Sequence, residues 1–497
     1  MHGLVTYLRR VGFGFGILTA AATGPAAGQD SVRAAPGGSD TAAVPPVVFA
    51  ALRDTVAARY VAPLSRDSLR HFKTAGALLA SLRDRHTILF SPHDLAEFKV
   101  EAGQRFGGIG ARLGELRDTA YVTSVLPGSP AARAGLLAFD RIVSLDGTPV
   151  VGMPVDNIVD RIRGPVGTRL ALGIVRRGVK SPATRTVERA EVQVPSVAAA
   201  MVLDGGVGVV RLEQFGDGAT GEVVHAIDGL RQAGATSLLL DLRGNPGGLL
   251  EEALGVAQLF LPQRAGLIEV RGRPGVPAQR ASVAVEPRYP ALPLGVLVDQ
   301  RSASAAEILA GALQDAGRAR IFGAQSYGKG SVQEMVNLPE GWAVKLTIAR
   351  WYTPKGRPID RGVQPADSLI DFDAPHQGGI RPDIALAADS AAIPPAAAIE
   401  ALGSSGVRTL TERMTDWTER HVDDPGAVAE LKDVEALLEG LEVPAGSREP
   451  LALWVQRELT GGSLRARYGE AAEDGWRLSH DSELAAARER MARSPQS

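Results

Sequence analysis

Cysteine is absent from the 497 residues of this sequence. Its absence excludes disulfide bonds, thiolate catalysis and every zinc or iron–sulfur site that depends on cysteine ligands. An excess of charge of either sign is lacking as well, because 54 Lys and Arg face 56 Asp and Glu for a net charge of -2. No global electric field therefore concentrates the protein on nucleic acid or on an acidic membrane. We expect any side-chain nucleophile to be an oxygen, and we expect no nucleic-acid partner.

Long apolar runs are scarce in the sequence. The run near the N-terminus, over 11–24, is about 14 residues long and falls short of the roughly 20 that a membrane-spanning helix needs. Arg9 and Arg10 precede it and small residues follow it up to Gly28, which is the layout of a secretory signal. We predict a signal peptide over 1–28 and export to the periplasm or cell envelope, with membrane association if the signal stays uncleaved.

Residue patterns divide the rest of the chain into five stretches. Ala, Gly, Pro and Ser dominate 29–46, which predicts a flexible spacer, and recurring apolar residues predict an N-terminal helical segment over 47–96. Short alternating strands with turn residues and one helix indicate a compact module over 97–182. Alternating strands and helices over 183–390 predict an α/β core, in which 332–338 and 342–352, joined by the turn at 339–341, predict a β-hairpin. Charged helical patterns predict a helical C-terminal domain over 391–497.

An apolar stripe in the C-terminal domain has two interpretations. It either packs within that domain or forms an assembly surface on which identical subunits meet. Its members are Val428, Leu431, Val434, Leu438 and Leu441.

Two residues stand where an active site can form. Ser304 opens a predicted helix; a serine there is an ordinary N-cap, yet it also has free backbone N–H groups beside it, as a tetrahedral oxyanion needs. Lys329 lies between two glycines, where burial can lower its pKa from about 10.4 toward the range of about 7–8 that suits a general base. If both lie on one strand, Lys329 and Gln333 share a face, so that the Gln333 amide orients the amine.

Two glycine-rich turns accompany these residues. The turn over 241–248 leads from a buried strand into a helix, and the N–H groups of Gly247, Gly248 and Ala305 are candidate oxyanion donors. The main chain over 106–110 can bind a carboxylate through successive N–H groups. Each turn by itself is equally compatible with a purely structural role.

Taken together, these segments resemble the carboxyl-terminal processing (tail-specific) serine proteases, a family with a PDZ module. The resemblance spans roughly 84–383, and it is specific because several motifs occur in the family's order. The motifs are Asp-Arg-His-Thr at 84–87, Phe-Gly-Gly-Ile-Gly at 106–110, Gly-Ser-Pro-Ala-Ala-Arg-Ala-Gly-Leu at 128–136, Asp-Leu-Arg-Gly-Asn-Pro-Gly-Gly at 241–248, Ser-Ala-Ser-Ala-Ala-Glu at 302–307 and Gly-Lys-Gly-Ser-Val-Gln at 328–333.

The resemblance implies a fold and a reaction. The fold is α/β, with a serine-protease core of the ClpP/crotonase-like type, an inserted PDZ domain over 97–182 and helical segments at both ends. The reaction is endopeptidase cleavage by a Ser-Lys dyad in which Ser304 is the nucleophile, Lys329 the general base and Gln333 the residue that orients Lys329. No cofactor and no metal are implied.

The same resemblance assigns substrate binding to the PDZ module. The main chain of Gly108, Ile109 and Gly110 is expected to hold the free carboxylate of a protein substrate, and the tail is expected to add as a strand beside a helix. Arg163 is a candidate for coupling tail binding to activity. The helix residues expected to contact the tail are Val155, Ile158, Val159 and Ile162.

The sequence departs from the family pattern at a few positions. Phe139 stands where the module usually has glycine before Asp140, and Ala306 stands where many relatives have a third serine. An extra loop over 361–378 precedes the closing Gly-Ile-x-Pro-Asp element.

Other functions fit the sequence less well. Gly323 to Lys329 imitates a P-loop, but Gly330 replaces the magnesium-binding Ser or Thr. A Ser-His-Asp hydrolase lacks its Gly-x-Ser-x-Gly motif. A catalytically silent scaffold that binds protein tails through its PDZ domain stays open as the alternative. The expected partners are protein substrates with accessible C-termini, an adaptor protein and further copies of the chain bound through the terminal helices.

Overall fold

The computed structural model describes residues 44–492 apart from 85, 96–97, 99–106, 180, 193, 363–377, 390–391, 393 and 425–428. The predicted signal peptide, most of the predicted spacer and most of the loop over 361–378 lie outside the described residues. The first described helix begins at Pro46, the last residue of the predicted spacer.

The described chain alternates helices and strands in the order that the sequence predicts for most of its length. The helices are α1 Pro46–Arg59, α2 Arg66–Leu69, α3 Ala75–Leu82, α4 Pro130–Arg133, α5 Val155–Ile162, α6 Ala219–Gln232, α7 Leu250–Gln258, α8 Ala305–Asp315, α9 Ala396–His421, α10 Leu431–Leu438, α11 Ala445–Tyr468, α12 Glu470–Ser479 and α13 Ser482–Ala492. The strands are β1 Ile88–Phe90, β2 Gly107–Gly108, β3 Ala111–Leu116, β4 Thr119–Val125, β5 Arg141–Leu145, β6 Thr148–Pro149, β7 Arg169–Val175, β8 Ala183–Glu188, β9 Ala190–Glu191, β10 Val197–Leu203, β11 Val207–Leu212, β12 Ser237–Asp241, β13 Gly266–Arg271, β14 Gln279–Ser282, β15 Leu294–Val298, β16 Arg320–Gly323, β17 Ser331–Asn337, β18 Ala343–Tyr352 and β19 Ile384–Ala385.

A six-stranded sheet forms the centre of the α/β core. Its order is β10-β11-β12-β15-β16-β19, and every pair is parallel except β10 with β11. Apolar runs such as Leu238–Leu240 fill both faces, because neighbouring side chains on a strand point to opposite sides. Leu238 and Leu240 pack toward α6, α7 and α8, whereas Leu239 packs toward α13. The predicted α/β core is confirmed.

A second, antiparallel sheet stands beside the core. The predicted hairpin of β17 and β18 is confirmed, and β18 also pairs with β1 and β13. Helices α1 and α3 pack on this sheet. The prediction of a purely helical segment over 47–96 is wrong for Ile88–Phe90, because these residues pair with Ala343–Lys345 as an edge strand.

The PDZ-like module consists of an antiparallel sheet and α5, whose Ile158 and Ile162 pack in the module core. The sheet order is β3-β4-β5-β7-β8, with β6 paired to β5. The predicted boundary at 182 is wrong, because β8 pairs with β7 along its whole length and places Val187 in the module core. In this sheet β3 is an edge strand, so one side of its main chain faces away from the other strands.

The C-terminal helices have a core of their own and a second contact with the protease core. Residues Trp417, Val434 and Trp454 of α9, α10 and α11 pack together. Of the predicted stripe, Val434 and Leu438 are buried, Leu431 is 61% exposed and Val428 lies outside the described residues. Helix α13 returns to cover one face of the six-stranded sheet. Within the described part of the chain, no helix has the length and apolar character needed to cross a membrane.

Candidate active site

Ser304 stands at a sharp turn between β15 and α8. Its backbone has φ 56° and ψ −116°, a left-handed conformation that costs energy for any residue with a Cβ. Ser302 holds this turn, because its hydroxyl oxygen lies 2.7 Å from the carbonyl oxygen of Leu242 and 3.0 Å from Asp299 Oδ1, both within hydrogen-bond distance. A strained serine between a buried strand and a helix is the geometry of a nucleophile elbow. The Ser302 contacts assign that residue to the support of the turn.

Glu307 is the residue that sequence reasoning missed. Its carboxylate is fully buried on the first turn of α8, where it accepts four hydrogen bonds. Oε2 accepts the N–H of Ser304 and the N–H of Lys329, both at 2.8 Å. Oε1 accepts the N–H of Gly328 and the hydroxyl of Ser326, both at 2.6 Å. One carboxylate therefore ties the serine turn to the lysine loop.

The sequence does contain a signal for this contact. The spacing Ser304-x-x-Glu307 is that of a capping box, in which the third residue of a helix reaches back to the N-cap N–H. Burial raises the pKa of Glu307 to about 7, while its four hydrogen bonds oppose that rise.

Lys329 lies in the loop that precedes β17. The pKa of its amine is lowered to about 8. Burial is the main cause, the nearby positive charge of Lys345 acts in the same direction, and the negative charge of Glu307 opposes the shift. An amine with such a pKa is neutral in a substantial fraction of molecules at weakly alkaline pH. The side chain is thus electrostatically suited to accept a proton.

The strand argument for Gln333 is wrong. Strand β17 begins at Ser331, after Lys329, and its register shifts between Val332 and Gln333, which interrupts the alternation of faces. The Gln333 amide donates to Ser331 Oγ at 2.7 Å and to Thr347 Oγ1 at 3.4 Å. Gln333 therefore contacts the residues that follow the lysine loop.

The Asp-Arg-His-Thr motif reaches the same region from the N-terminal side. Thr347 N–H donates to Thr87 Oγ1 at 3.2 Å, and the Thr87 hydroxyl donates to Asp84 Oδ2 at 2.8 Å. A small open pocket lies here, and Gly328 and Gly330 on either side of Lys329 contribute to its wall. Other residues of the wall are Tyr60, Asp84, His86, Tyr327, Arg350 and Arg361.

The turn over 241–248 packs directly against Ser304. Gly247 has φ 105°, and a Cβ at this position would lie 2.9 Å from Ser304 Cβ and 3.0 Å from the Ala305 nitrogen. Only glycine allows so close an approach. The N–H of Ala303 donates to the carbonyl of Asn245 at 2.9 Å and joins the two segments.

The predicted oxyanion donors differ in their availability. The N–H of Gly247 donates to Asn245 Oδ1 at 2.8 Å, so the expectation that it is a free donor is wrong for this conformation. The hydrogen bonds among the described residues leave the N–H groups of Gly248 and Ala305 without an acceptor. Rotation of one peptide group would be needed before Gly247 could donate to a ligand.

The predicted tail groove of the PDZ-like module is smaller than expected. Ile158 and Ile162 are 0% and 5% exposed and belong to the module core, so their predicted contact with a tail is wrong. Val155 and Val159 are half-buried and remain available beside β3. Arg163 forms an ion pair with Asp160 on the same helix at 3.7 Å.

The loop before β3 is held from within the module. The carbonyl of Ile109 accepts the N–H of Ala131 at 2.7 Å, and the carbonyl of Gly110 accepts the N–H of Leu126 at 2.9 Å. Gly108 pairs with Ala190 in the short ladder of β2 and β9. Phe106 lies outside the described residues. These contacts fix the loop beside the edge strand.

The departures from the family pattern have local explanations. Phe139 has φ 66°, a backbone conformation that favours glycine, and its ring stacks on Tyr121 with centroids 5.8 Å apart. Aromatic stacking offsets part of the backbone strain there. Ala306 is fully buried inside α8.

Comparison with known proteins identifies the same two units. The model of peptidase family S41 matches residues 206–368, and a PDZ domain model matches residues 121–176. A carboxyl-terminal-processing protease of a Picosynechococcus species is 36% identical over 305 residues, which cover 59% of this chain and 72% of the relative. The corresponding protease of a Synechocystis species is 34% identical over 321 residues, covering 63% and 74%. The carboxy-terminal processing protease CtpA of Bacillus subtilis is 34% identical over 289 residues, covering 58% and 61%.

Among solved structures, a photosystem II D1 C-terminal processing protease is 27% identical, with 73% of this chain and 96% of that chain covered at a TM-score of 0.42. Fold and matches together define a serine-type peptidase that carries a PDZ domain. The chain belongs to the carboxyl-terminal-processing proteases of peptidase family S41.

Removal of the Glu307 carboxylate should destabilise the protein strongly. Glu307→Ala leaves four buried donors without an acceptor, and each such donor costs about 1–3 kcal/mol, so we expect a loss of about 3 kcal/mol or more in the free energy of unfolding. Urea unfolding measures this loss. The matched control is Glu252→Ala, which removes a more exposed carboxylate that accepts the N–H groups of Gly218 and Thr220. Equal losses in the two variants would contradict a special role of Glu307.

Proposed function

We propose that this protease is an exported endopeptidase that uses a Ser304–Lys329 dyad and selects substrates by their C-terminal tails. The observation that carries the dyad is the Glu307 carboxylate, which binds the main chain of both residues through one oxygen. The lowered pKa of Lys329 supports its role as the base. The sheet pairings support a catalytic core that begins after β8 and extends to about residue 390, with β8 belonging to the PDZ domain.

The reaction follows from the acid–base state of the dyad. Neutral Lys329 takes the proton of the Ser304 hydroxyl while Oγ attacks the peptide carbonyl, and the resulting ammonium gives a proton to the leaving amine. A water molecule then cleaves the acyl-enzyme with Lys329 again as the base. Gln333 acts as a positioning residue, since it holds Ser331, two residues after Lys329.

The oxyanion is stabilised by backbone donors. The N–H groups of Ala305 and Gly248 serve directly, and Gly247 contributes once its N–H leaves Asn245. Each donor of this kind is typically worth about 2.7–4 kcal/mol of transition-state stabilisation.

Substrate tails bind to the PDZ domain by strand addition. The free edge of β3 pairs with the tail, the N–H groups over 108–110 receive its carboxylate, and Val155 and Val159 contact its side chains. Recognition through main-chain bonds and one carboxylate fits the near-neutral net charge of -2.

Export and assembly rest on the sequence and on surface composition. Residues 1–28 contain two arginines, then an apolar run and then small residues, and this order supports a signal peptide. Leu431 on α10 and Leu453 on α11 are exposed apolar residues and support association of identical subunits or binding of an adaptor through the helical C-terminal domain.

Loss of either dyad residue should abolish turnover. Ser304→Ala and Lys329→Ala should each lower kcat/KM by at least about 10³-fold on an unstructured protein with an apolar C-terminus. Cleavage is measured by gel electrophoresis and mass spectrometry, with Ser282→Ala at an exposed position of β14 as the control. Equally slow degradation by wild type and both variants would favour the tail-binding scaffold instead.

The pH profile should report the lysine base. Because neutral Lys329 is the active form and burial lowers its pKa to about 8, the rate should rise about tenfold per pH unit below that value. Lys345→Met removes a positive charge near Lys329, so the pKa of Lys329 should rise and the profile should move to higher pH. Lys355→Met, at an exposed position, is the control. A rate maximum near pH 5, or no displacement in Lys345→Met, would contradict this assignment.

Tail recognition should depend on the free carboxylate. C-terminal amidation of a peptide substrate should raise KM several-fold and leave kcat nearly unchanged, because it removes the charge that the loop over 108–110 receives. Acetylation of the N-terminus is the matched control. Equal KM values for the free and amidated peptides would exclude carboxylate recognition.

A further inference from the structure

Helix α12 lies between the PDZ domain and the turn over 241–248. At its N-terminus, Glu470 Oε1 contacts Arg112 Nε at 2.6 Å and accepts the hydroxyl of Ser124, also at 2.6 Å. Arg112 belongs to β3, the free edge strand, and Ser124 belongs to its neighbour β4. One end of α12 is therefore attached to the strand that the proposed function assigns to tail binding.

The other end of α12 is attached to the turn beside Ser304. Asp481 follows the helix by two residues and binds Arg243, with Oδ2 2.8 Å from Nη2 and Oδ1 3.2 Å from Nη1. Glu483 Oε2 lies 3.0 Å from the same Nη1. Arg243 in turn binds Asp241 through Nε at 2.9 Å and through Nη2 at 2.7 Å. The four side chains form an ionic cluster, which Arg211 joins through Asp241 at 3.4 Å.

The cluster is sheltered from water. The side chains of Asp241, Arg243, Asp481 and Glu483 are all 10% exposed or less. Charged hydrogen bonds hold geometry more firmly in such surroundings than at the surface, because no water competes for them. The carboxylates of Asp481 and Glu483 therefore help to determine where the guanidinium of Arg243 sits.

Contacts along α12 make it a stiff connection. Arg477 pairs with both oxygens of Glu458 at 2.9 and 3.1 Å and with Glu473 at 2.8 Å. Leu478 and Leu484 pack on the six-stranded sheet. A helix of ten residues is about 15 Å long, so the two attachments stand well apart while moving as one unit.

We propose that α12 is a strut that couples the tail-binding strand to the oxyanion turn, with Asp481 and Glu483 as positioning residues for that turn. This inference rests on the proposed function. A tail that pairs with β3 changes the position of Arg112 and thereby pulls on Glu470; the displacement reaches Arg243 through Asp481. The turn then carries Gly247, whose N–H is held by Asn245 in the structure, toward the oxyanion. Coupling requires that the tail binds more tightly to the shifted state.

The test uses the full-length protein and a fluorophosphonate that labels a reactive serine. The labelling rate is measured with and without a saturating tail peptide that lacks a cleavable bond, and peptide affinity is measured by fluorescence anisotropy. In the wild type the peptide should accelerate labelling at least fivefold. In Glu470→Ala the peptide should still bind within about threefold of wild type, and the acceleration should disappear.

Substrate kinetics test the end of the strut that contacts Arg243 in the turn beside Ser304. Glu483→Gln should lower kcat at least fivefold with little change in KM, because the turn is displaced while tail binding is intact. Glu435→Gln is the matched control, since it removes a carboxylate of α10 that pairs with Arg448 of α11 in the same helical domain, and it should retain the kinetics of wild type.

Charge reversal separates coupling from stability. Arg112→Glu and Glu470→Arg should each lose the acceleration, and the double variant should regain it. This rescue keeps the test valid if Glu470→Ala fails to fold. Persistent acceleration in a folded Glu470→Ala, or identical kinetics of Glu483→Gln and Glu435→Gln, would overturn the strut. If the wild type is labelled by the fluorophosphonate but the tail peptide does not accelerate labelling, the strut is overturned and the proposed Ser304–Lys329 dyad is unaffected. If the wild type is not labelled at all, both the proposed function and the strut are overturned.

Discussion

The Glu307 carboxylate is the interaction on which the rest of the site depends. A buried carboxylate is costly by itself, and its raised pKa of about 7 records that cost. The cost is offset because four donors from two separate segments converge on it. The turn at Ser304 and the loop at Lys329 lie 25 residues apart along the chain, and without the carboxylate their link would be reduced to contacts such as the bond from the Tyr327 N–H to the Ser302 carbonyl at 3.0 Å.

The geometry of the candidate site is determined by backbone contacts more than by contacts between side chains. Ser302 fixes the turn through the carbonyl of Leu242, Gly247 allows the next turn to lie against Ser304, and Asn245 joins both. Each contact uses a main-chain group whose position is set by a buried parallel strand. The parallel sheet thus acts as a rigid base from which several turns project at the same edge.

Sequence reasoning predicted the core elements because their patterns are strong. The apolar run before Asp241 and the β17–β18 hairpin were readable from periodicity and turn residues. The β1 pairing was missed because three residues carry little pattern and depend on a partner more than 250 positions away. The predicted contact of Ile158 and Ile162 with a substrate tail is wrong because helix periodicity identifies an apolar face but does not show whether that face lines the module core or a binding groove. The prediction that Gln333 shares a strand face with Lys329 is wrong because the alternation of residues in a sequence does not reveal a β-bulge.

Helix α13 has a consequence for the order in which the protein folds. Its residues Leu484 and Ala487 cover the face of the central sheet that carries Val209, Leu239 and Phe322. During synthesis, that apolar face has no cover until residues 482–492 have left the ribosome. The α/β core is therefore fully covered only after residues 482–492 have been made, and a chain cut before α13 exposes this apolar face. Completion of the core in this way depends on a helix that lies far downstream of β19.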